Sequence, residues 1–417
     1  MARLSTRHRL ASIDGTSTER AGTDRAGIQQ PRPGIGLMNV TVWVLLLALI
    51  VSLPNDVGVT AAGRPALALL ILAGVVFGCG YGVIAVRRLG RWLRPPASRG
   101  GRPELRQAAD PVVGRLVSTA RAPGAVAGLT RGQASDADTV SYGGPPRLDA
   151  QTVLEVGSIA KVITGILLAD LVTAGVVALD TDAGAILGLD QLDGITLFDL
   201  ATHRSGLPRL PRGPRLRALI QHPDPYRRTD VQRLLRTMPR PSASVPTYSN
   251  LGYAVLGAAL AKAAGGDYRQ LAAERVLLPL GMTSSGFDIP LGAVGHDSFG
   301  TPVSSWHQAA FAPAGGLRST VSDLLALASA TVRAPDGPLG AALALATTAQ
   351  APFRHRSIGL GWMLSDGVAY HNGRTRGMYA WVGADRARRR GVALITTSES
   401  RRGGFDKSAR EFLRAIP

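Results

Sequence analysis

Residues 158–175 read SIAKVITGILLADLVTAG. Ile159, Val162, Ile163 and Ile166 to Leu168 recur at helical spacing, so the stretch predicts a helix with an apolar face. It opens a mainly helical middle that runs to about Ala330. On both sides the pattern changes to strands. Upstream, GAVAGLT (124–130) and DTVSYG (138–143) alternate or are β-rich, and the Gly and Asp residues between them suit a hairpin loop. Downstream, GLGWML (359–364), AYHNG (369–373), MYAWVGA (378–384) and GVALITTS (391–398) carry the same signal, and FDKSAREFLRAI closes the chain as a helix. Strands at both ends around a helical middle predict an α+β domain over 110–417, with one sheet formed by the two ends and a helical subdomain inserted.

The start of that helix also carries chemistry. Ser158 and Lys161 stand three residues apart, on one face and a turn apart, so the amine can reach the hydroxyl and accept its proton. A free hydroxyl is a poor nucleophile without such a base. Arginine cannot serve, because its guanidinium keeps its proton. Of 47 basic residues only those at 161, 262 and 407 are lysine, so a lysine here is informative. The bland reading is a helix-capping serine followed by a solvated lysine; chance alone gives about 0.2 such spacings in the chain.

Two further clusters follow. Tyr248-Ser249-Asn250 lies between the Pro-rich PRPSASVP and the apolar LGYAVLGAAL. A loop tyrosine can relay a proton toward a leaving group, and an asparagine amide can hold a substrate carbonyl. The alternative is an Asn-capped helix. His371-Asn372-Gly373 falls on a predicted strand. Glycine at its third position lets a substrate lie against the strand edge, and the next backbone N–H, that of Arg374, can pair with the Ser158 N–H as an oxyanion hole. His371 can donate to a substrate carboxylate or to the Tyr248 oxygen; the alternative is an exposed strand histidine.

In this order and at these spacings, SIAK, YSN and HNG resemble the three active-site motifs of the serine β-lactamase-like superfamily. Within it they are similar to the branch holding class C β-lactamases, D-alanyl-D-alanine carboxypeptidases, D-aminopeptidases and lactamase-like esterases. LATHRSGLP (200–208), LLPLGMT (277–283), PAGGLRSTVSDLLALA (313–328) and HNGRTRGMYAWVGAD resemble that branch too, and the likeness spans about 110–417. It implies a helical subdomain packed on an antiparallel sheet with the site between them. It implies Ser158 as nucleophile, Lys161 and Tyr248 as acid and base, and Asn250 as a substrate contact. The departure is His371, where β-lactamases usually have the lysine of a KTG triad. That favours an ester, a D-amino-acid peptide or a related amide over a β-lactam. The competing reading is a penicillin-type sensor or a catalytically silent binding module, which would be expected to carry a partner domain such as an HExxH protease; the chain holds no HE dipeptide. His203 in THRSG reads as loop-structuring, and Thr320 with Asp323 as a helix capping box. No cofactor and no metal is called for.

Ahead of this domain, residues 1–34 are polar and Arg-rich and predict a disordered basic tail. Two uncharged apolar stretches follow, 35–53 and 66–86, each close to the ~20 residues that cross a bilayer, so 35–86 predicts a two-helix transmembrane hairpin holding the chain to lipid. Residues 87–109 read as a basic linker able to lie against anionic headgroups. The single cysteine, Cys79, sits inside the second apolar stretch, which excludes an intrachain disulfide and paired-cysteine metal sites. Net charge is +18, almost all of it arginine, and no nucleic-acid-binding signature accompanies it, so nucleic acid is not expected as a partner. Arginine is dense before the first span and after the second, while the loop between them holds Arg64 alone. The positive-inside bias therefore predicts a cytoplasmic catalytic domain; relatives that process cell-wall peptides would place it outside.

Overall fold

The strand signals from the two ends of the domain meet in one sheet. The computed structural model describes residues 98–114, 124–143, 147–211, 241, 245–297, 300–306, 309–398 and 405–415. Near the N-terminal end come helix α1 (Pro103–Ala109) and strands β1 (Gly124–Thr130) and β2 (Asp138–Gly143). Short β3 (Leu154–Glu155) leads into α2 (Ala160–Thr173), followed by α3 (Ala183–Leu187), α4 (Leu197–Ala201), α5 (Asn250–Ala263) and α6 (Tyr268–Ala272). Next come β4 (Gly295–His296), β5 (Pro302–Val303), α7 (Ala312–Gly315), β6 (Arg318–Ser319), α8 (Val321–Arg333) and α9 (Pro338–Thr347). The chain closes with β7 (Ala351–Phe353), β8 (Arg356–Ile358), β9 (Met363–Ser365), β10 (Val368–Arg374), β11 (Tyr379–Asp385), β12 (Arg390–Thr396) and α10 (Phe405–Ala415). The main sheet runs β2-β1-β12-β11-β10-β9-β8-β7 with every neighbour antiparallel, so the N-terminal hairpin adds beside the last strand.

Side chains alternate across a strand, and both faces here are covered. Ala125, Ala127 and Leu129 of β1, Val392 and Leu394 of β12 and Trp381 of β11 share one core with α1 and α10. In α10 the buried residues are Phe405, Ala409, Phe412 and Leu413, a stripe at helical spacing. Val126, Val382, Ala393 and Ile395 face the other way, into the core of the helical subdomain. Helix α2 lies inside that core. Ten consecutive residues, Ala160 to Ala169, are buried or nearly so, which explains an apolar composition broader than one stripe.

Three local expectations change, and two short strands are added. Residues 359–362 do not extend a strand: Gly359 N donates to Trp362 O and Leu360 N to Ala346 O, and this turn buries Leu360 and Trp362 before β9 begins at Met363. Strands β7 and β8 carry no clear sequence signal, being three residues each. Thr320 caps α8 by accepting from Asp323 N, but the Asp323 carboxylate turns to Ser284 N and Ser285 Oγ instead of closing a capping box. The linker expected over 87–109 is joined to the domain in its last part, because Arg99 pairs with Ser141 and α1 buries Leu105 and Ala109. The expected tail, both apolar stretches of the hairpin and residues 87–97 lie outside the described residues. Among the described residues no helix is long and apolar enough to cross a membrane.

Candidate active site

The end of β10 meets the turn that starts α2. Ser158 sits in a 3-10 turn, Gly157–Ile159, immediately before α2. Gly157 has φ +51°, and a Cβ there would lie 2.8 Å from Arg374 N; a Cβ on Gly373 would lie 1.7 Å from Val156 O and 3.1 Å from Ser158 N. Only glycine allows this backbone approach. It brings the backbones of Ser158 and Arg374 close together, the approach that the expected oxyanion hole requires.

Lys161 is fully buried beneath Ser158. Its Nζ lies 3.3 Å from Ser158 Oγ, 2.8 Å from Asn250 Oδ1 and 2.5 Å from Ala314 O. Burial, then the Arg209 charge, hold its pKa well below the usual lysine range. A neutral amine has two N–H donors and one lone pair. In that form the two carbonyl-type acceptors, Asn250 Oδ1 and Ala314 O, would take the donors and leave the lone pair for the Ser158 hydroxyl.

Burial pushes Tyr248 the other way, up to about 12, opposed by its hydrogen bond with Ser158 and by the Arg209 charge. The phenol is therefore neutral at pH 7 and keeps its proton to donate. The Lys161 amine lies 4.9 Å from the centre of its ring. Asn250 opens α5, capped by Ser249, whose Oγ accepts from Gly252 N at 2.8 Å. With Oδ1 bonded to Lys161, its NH2 is the part that can hold a substrate carbonyl.

His203 supports this loop from below. It adopts φ +63°, accepts Ser249 N on Nδ1 at 3.2 Å, accepts Thr247 N on its carbonyl at 2.9 Å and packs its ring 4.5 Å from that of Tyr248. Burial lowers its pKa well below the usual histidine range, in keeping with a neutral ring whose Nδ1 accepts. These bonds fit the loop-structuring reading of the residue.

Alternation along β10 sends His371 and Gly373 toward Ser158 and Asn372 to the opposite face, where its Nδ2 donates to Tyr379 Oη at 2.8 Å and Asp406 Oδ2 at 3.0 Å. His371 is buried, and burial lowers its pKa to about 3. Its Nδ1 lies 2.6 Å from its neighbour's carbonyl, Asn372 O. A carbonyl only accepts, so Nδ1 carries the proton and Nε2 is left as an acceptor. The donor role expected from sequence, toward a substrate carboxylate, does not match this tautomer.

Two participants had no sequence motif. The Ala314 carbonyl comes from α7, about 150 residues from Lys161, inside the quoted PAGG stretch. Arg209 follows THRSGLP; its carbonyl accepts Asn250 N at 3.0 Å and its guanidinium lies 5.3 Å from the Tyr248 ring centre. Among the described residues no group of three or more His, Cys, Asp or Glu is placed to hold a metal. The site assembles a hydroxyl, an amine of lowered pKa, a neutral phenol and the adjoining backbones of Ser158 and Arg374, a set suited to acyl transfer.

The Beta-lactamase family model matches residues 106–415. The D-alanyl-D-alanine-carboxypeptidase/endopeptidase AmpH of Escherichia coli (strain K12) is 34% identical over 144 residues, 33% of this chain and 37% of that protein. A β-lactamase of Pseudomonas fluorescens is 27% identical over 227 residues, 51% of this chain and 60% of that protein. The match thus spans about a third of AmpH's length, and less than two thirds of the β-lactamase's. Among solved structures, D-alanine carboxypeptidase AmpC from Burkholderia cenocepacia superposes with a TM-score of 0.64 at 21% identity, covering 75% of this chain and 99% of that one. That last likeness is one of fold.

Proposed function

Since the chain belongs to the serine β-lactamase and D-alanyl-D-alanine carboxypeptidase-like family of hydrolases, we propose that it hydrolyses an ester, a D-amino-acid peptide or a related amide through an acyl-Ser158 intermediate. The observation that carries this reading is Lys161, buried with no acid bonded to it among the described residues and with its amine held between Asn250 Oδ1, Ala314 O and Ser158 Oγ. As Oγ attacks the substrate carbonyl carbon, its proton passes to Lys161 Nζ. The N–H groups of Ser158 and Arg374 stabilise the oxyanion that forms. Tyr248 relays the proton to the leaving oxygen or nitrogen, the scissile bond breaks, and the acyl group remains on Ser158. Water then attacks the acyl carbon, giving up a proton by the same route, and releases the acid. The assignment of base and donor follows from burial: it favours the neutral form of each group, which leaves the amine able to accept and the phenol able to donate.

A neutral His371 supplies no positive charge, so ester or D-aminoacyl turnover is expected to run well ahead of β-lactam turnover. The test is intact-mass analysis after exposure to a fluorophosphonate, a penicillin and a short p-nitrophenyl ester, with initial rates for the last two. One phosphonyl adduct and rapid ester turnover are expected. Efficient penicillin hydrolysis with negligible esterase activity would reverse the order, and no adduct with any reagent would remove the hydrolase reading in favour of a silent binding module.

The same proposal includes a membrane anchor at residues 35–86. Arg3, Arg7, Arg9, Arg20, Arg25 and Arg32 precede the first apolar stretch and Arg87, Arg88, Arg91 and Arg94 follow the second, which favours a cytoplasmic catalytic domain. Protease shaving of spheroplasts carrying a C-terminal epitope tag should leave the tag intact until the cells are lysed. Its loss from intact spheroplasts would place the domain outside and restore a cell-wall substrate.

A further inference from the structure

The positive charge at the mouth of the site comes from an unexpected element. His371 occupies the strand position where a lysine would stand in a KTG triad, and its ring is neutral, with its Nδ1 proton bonded to Asn372 O. Across the cleft, the exposed Arg209 lays its guanidinium 5.3 Å from the centre of the Tyr248 ring, while its backbone carbonyl is pinned by Asn250 N. No carboxylate among the described residues pairs with it. The pKa shifts of Lys161, His203, Tyr248 and His371 owe nothing to an acid, while three of the four register the Arg209 charge. Among the described residues the cleft is thus a positive site without an internal counter-ion. A guanidinium packed against an aromatic face keeps its in-plane N–H edge for a planar, bidentate acceptor.

We propose that Arg209 is a specificity-determining residue that binds a carboxylate of the substrate, making half-acid esters or amides the preferred substrates over neutral ones. The inference rests on the hydrolase reading above. It places the anionic group on the Tyr248 side of Ser158, on the helical subdomain, and not on the strand that carries His371.

The test uses the full chain in detergent, at a pH where wild-type and variant rates no longer depend on pH. Two pairs of probes are compared. p-Nitrophenyl hemiglutarate against p-nitrophenyl valerate carries the charge on the acyl side, and 4-carboxyphenyl butyrate against phenyl butyrate carries it on the leaving side. In at least one pair the anionic to neutral ratio of kcat/KM should fall about tenfold or more in Arg209→Gln, fall further in Arg209→Glu and be partly restored in Arg209→Lys. Loss of a merely structural role would lower both members together and leave the ratio unchanged, and that result overturns the proposal. An arm without turnover separates this from failure of the hydrolase reading. In a Ser158→Ala background, N-acetyl-D-alanine should bind more tightly than N-acetyl-D-alaninamide by calorimetric titration, and Arg209→Gln should remove the difference. If neither ester is turned over, the hydrolase reading falls and the titration alone decides Arg209; the absence of any carboxylate preference there overturns the assignment.

Discussion

Replacing Ser158 with alanine is expected to lower ester turnover by roughly 10⁴- to 10⁶-fold and to abolish phosphonyl labelling, with little change in melting temperature. The substitution removes the attacking oxygen and little else. Ser158 is half-buried, and the Lys161 amine keeps its bonds to Asn250 Oδ1 and Ala314 O without it. The turn itself is set by the contact between Gly157 and the end of β10, which the change does not touch. Intact-mass spectra of wild type and Ser158→Ala after the same fluorophosphonate exposure make the comparison, and circular dichroism melts check the fold. Labelling that persists on the variant would move the nucleophile elsewhere and sink the mechanism.

The parts of the molecule legible in the sequence are those set by local pattern. β1, β2, β10, β11, β12, α2 and α10 fall where periodicity places them, because each buries a face whose spacing is written in consecutive residues. Ser158 and Lys161 are legible for the same reason: three residues of helix fix their distance. Tyr248 and Asn250 needed the resemblance, since nothing local brings the start of α5 to Lys161. Ala314 supplies only a carbonyl, which any residue would, so its identity holds no signal. Arg209 was hidden by composition. In a chain with 44 arginines among its 47 basic residues, one more after GLP gives no contrast, and only its position over Tyr248 distinguishes it. The histidine at 371 was visible, but its tautomer depends on a bond to its neighbour's carbonyl and so on strand geometry.

Burial has opposite consequences for the two proton-transfer groups, and the direction of each matters more than its size. It lowers the Lys161 amine, favouring its neutral form, and raises the Tyr248 phenol, which is neutral near pH 7. The neighbouring Arg209 charge pushes both downward, aiding deprotonation of the lysine while moderating the rise of the tyrosine. The positive guanidinium therefore contributes to the base even though it stands outside hydrogen-bond reach of the reacting oxygen.

Lys161→Arg is accordingly expected to be nearly as damaging as Lys161→Ala, each losing about 10³-fold or more in kcat/KM. The guanidinium keeps the charge but cannot accept the Ser158 proton, and it must be held as a permanent cation in a fully buried site that already feels Arg209. Retention of more than about a tenth of wild-type rate, a loss near 1.4 kcal/mol or less, would mean that the lysine acts only through its charge and that another base serves. Two pH measurements sharpen the test. In the wild type kcat/KM should fall as pH drops through the depressed Lys161 pKa, and Arg209→Gln should move that fall to higher pH, because removing a neighbouring cation makes the amine easier to protonate. Stability carries the same sign. Between the folded and unfolded pKa of Lys161 the unfolded chain binds the extra proton, so stability rises with pH across that window up to about 10.4. In Lys161→Met that contribution is absent, and its melting temperature should climb less over the same range. A wild-type curve with the same slope as Lys161→Met would show the buried amine to be charged in the folded protein, and the proposed base would lose its lone pair.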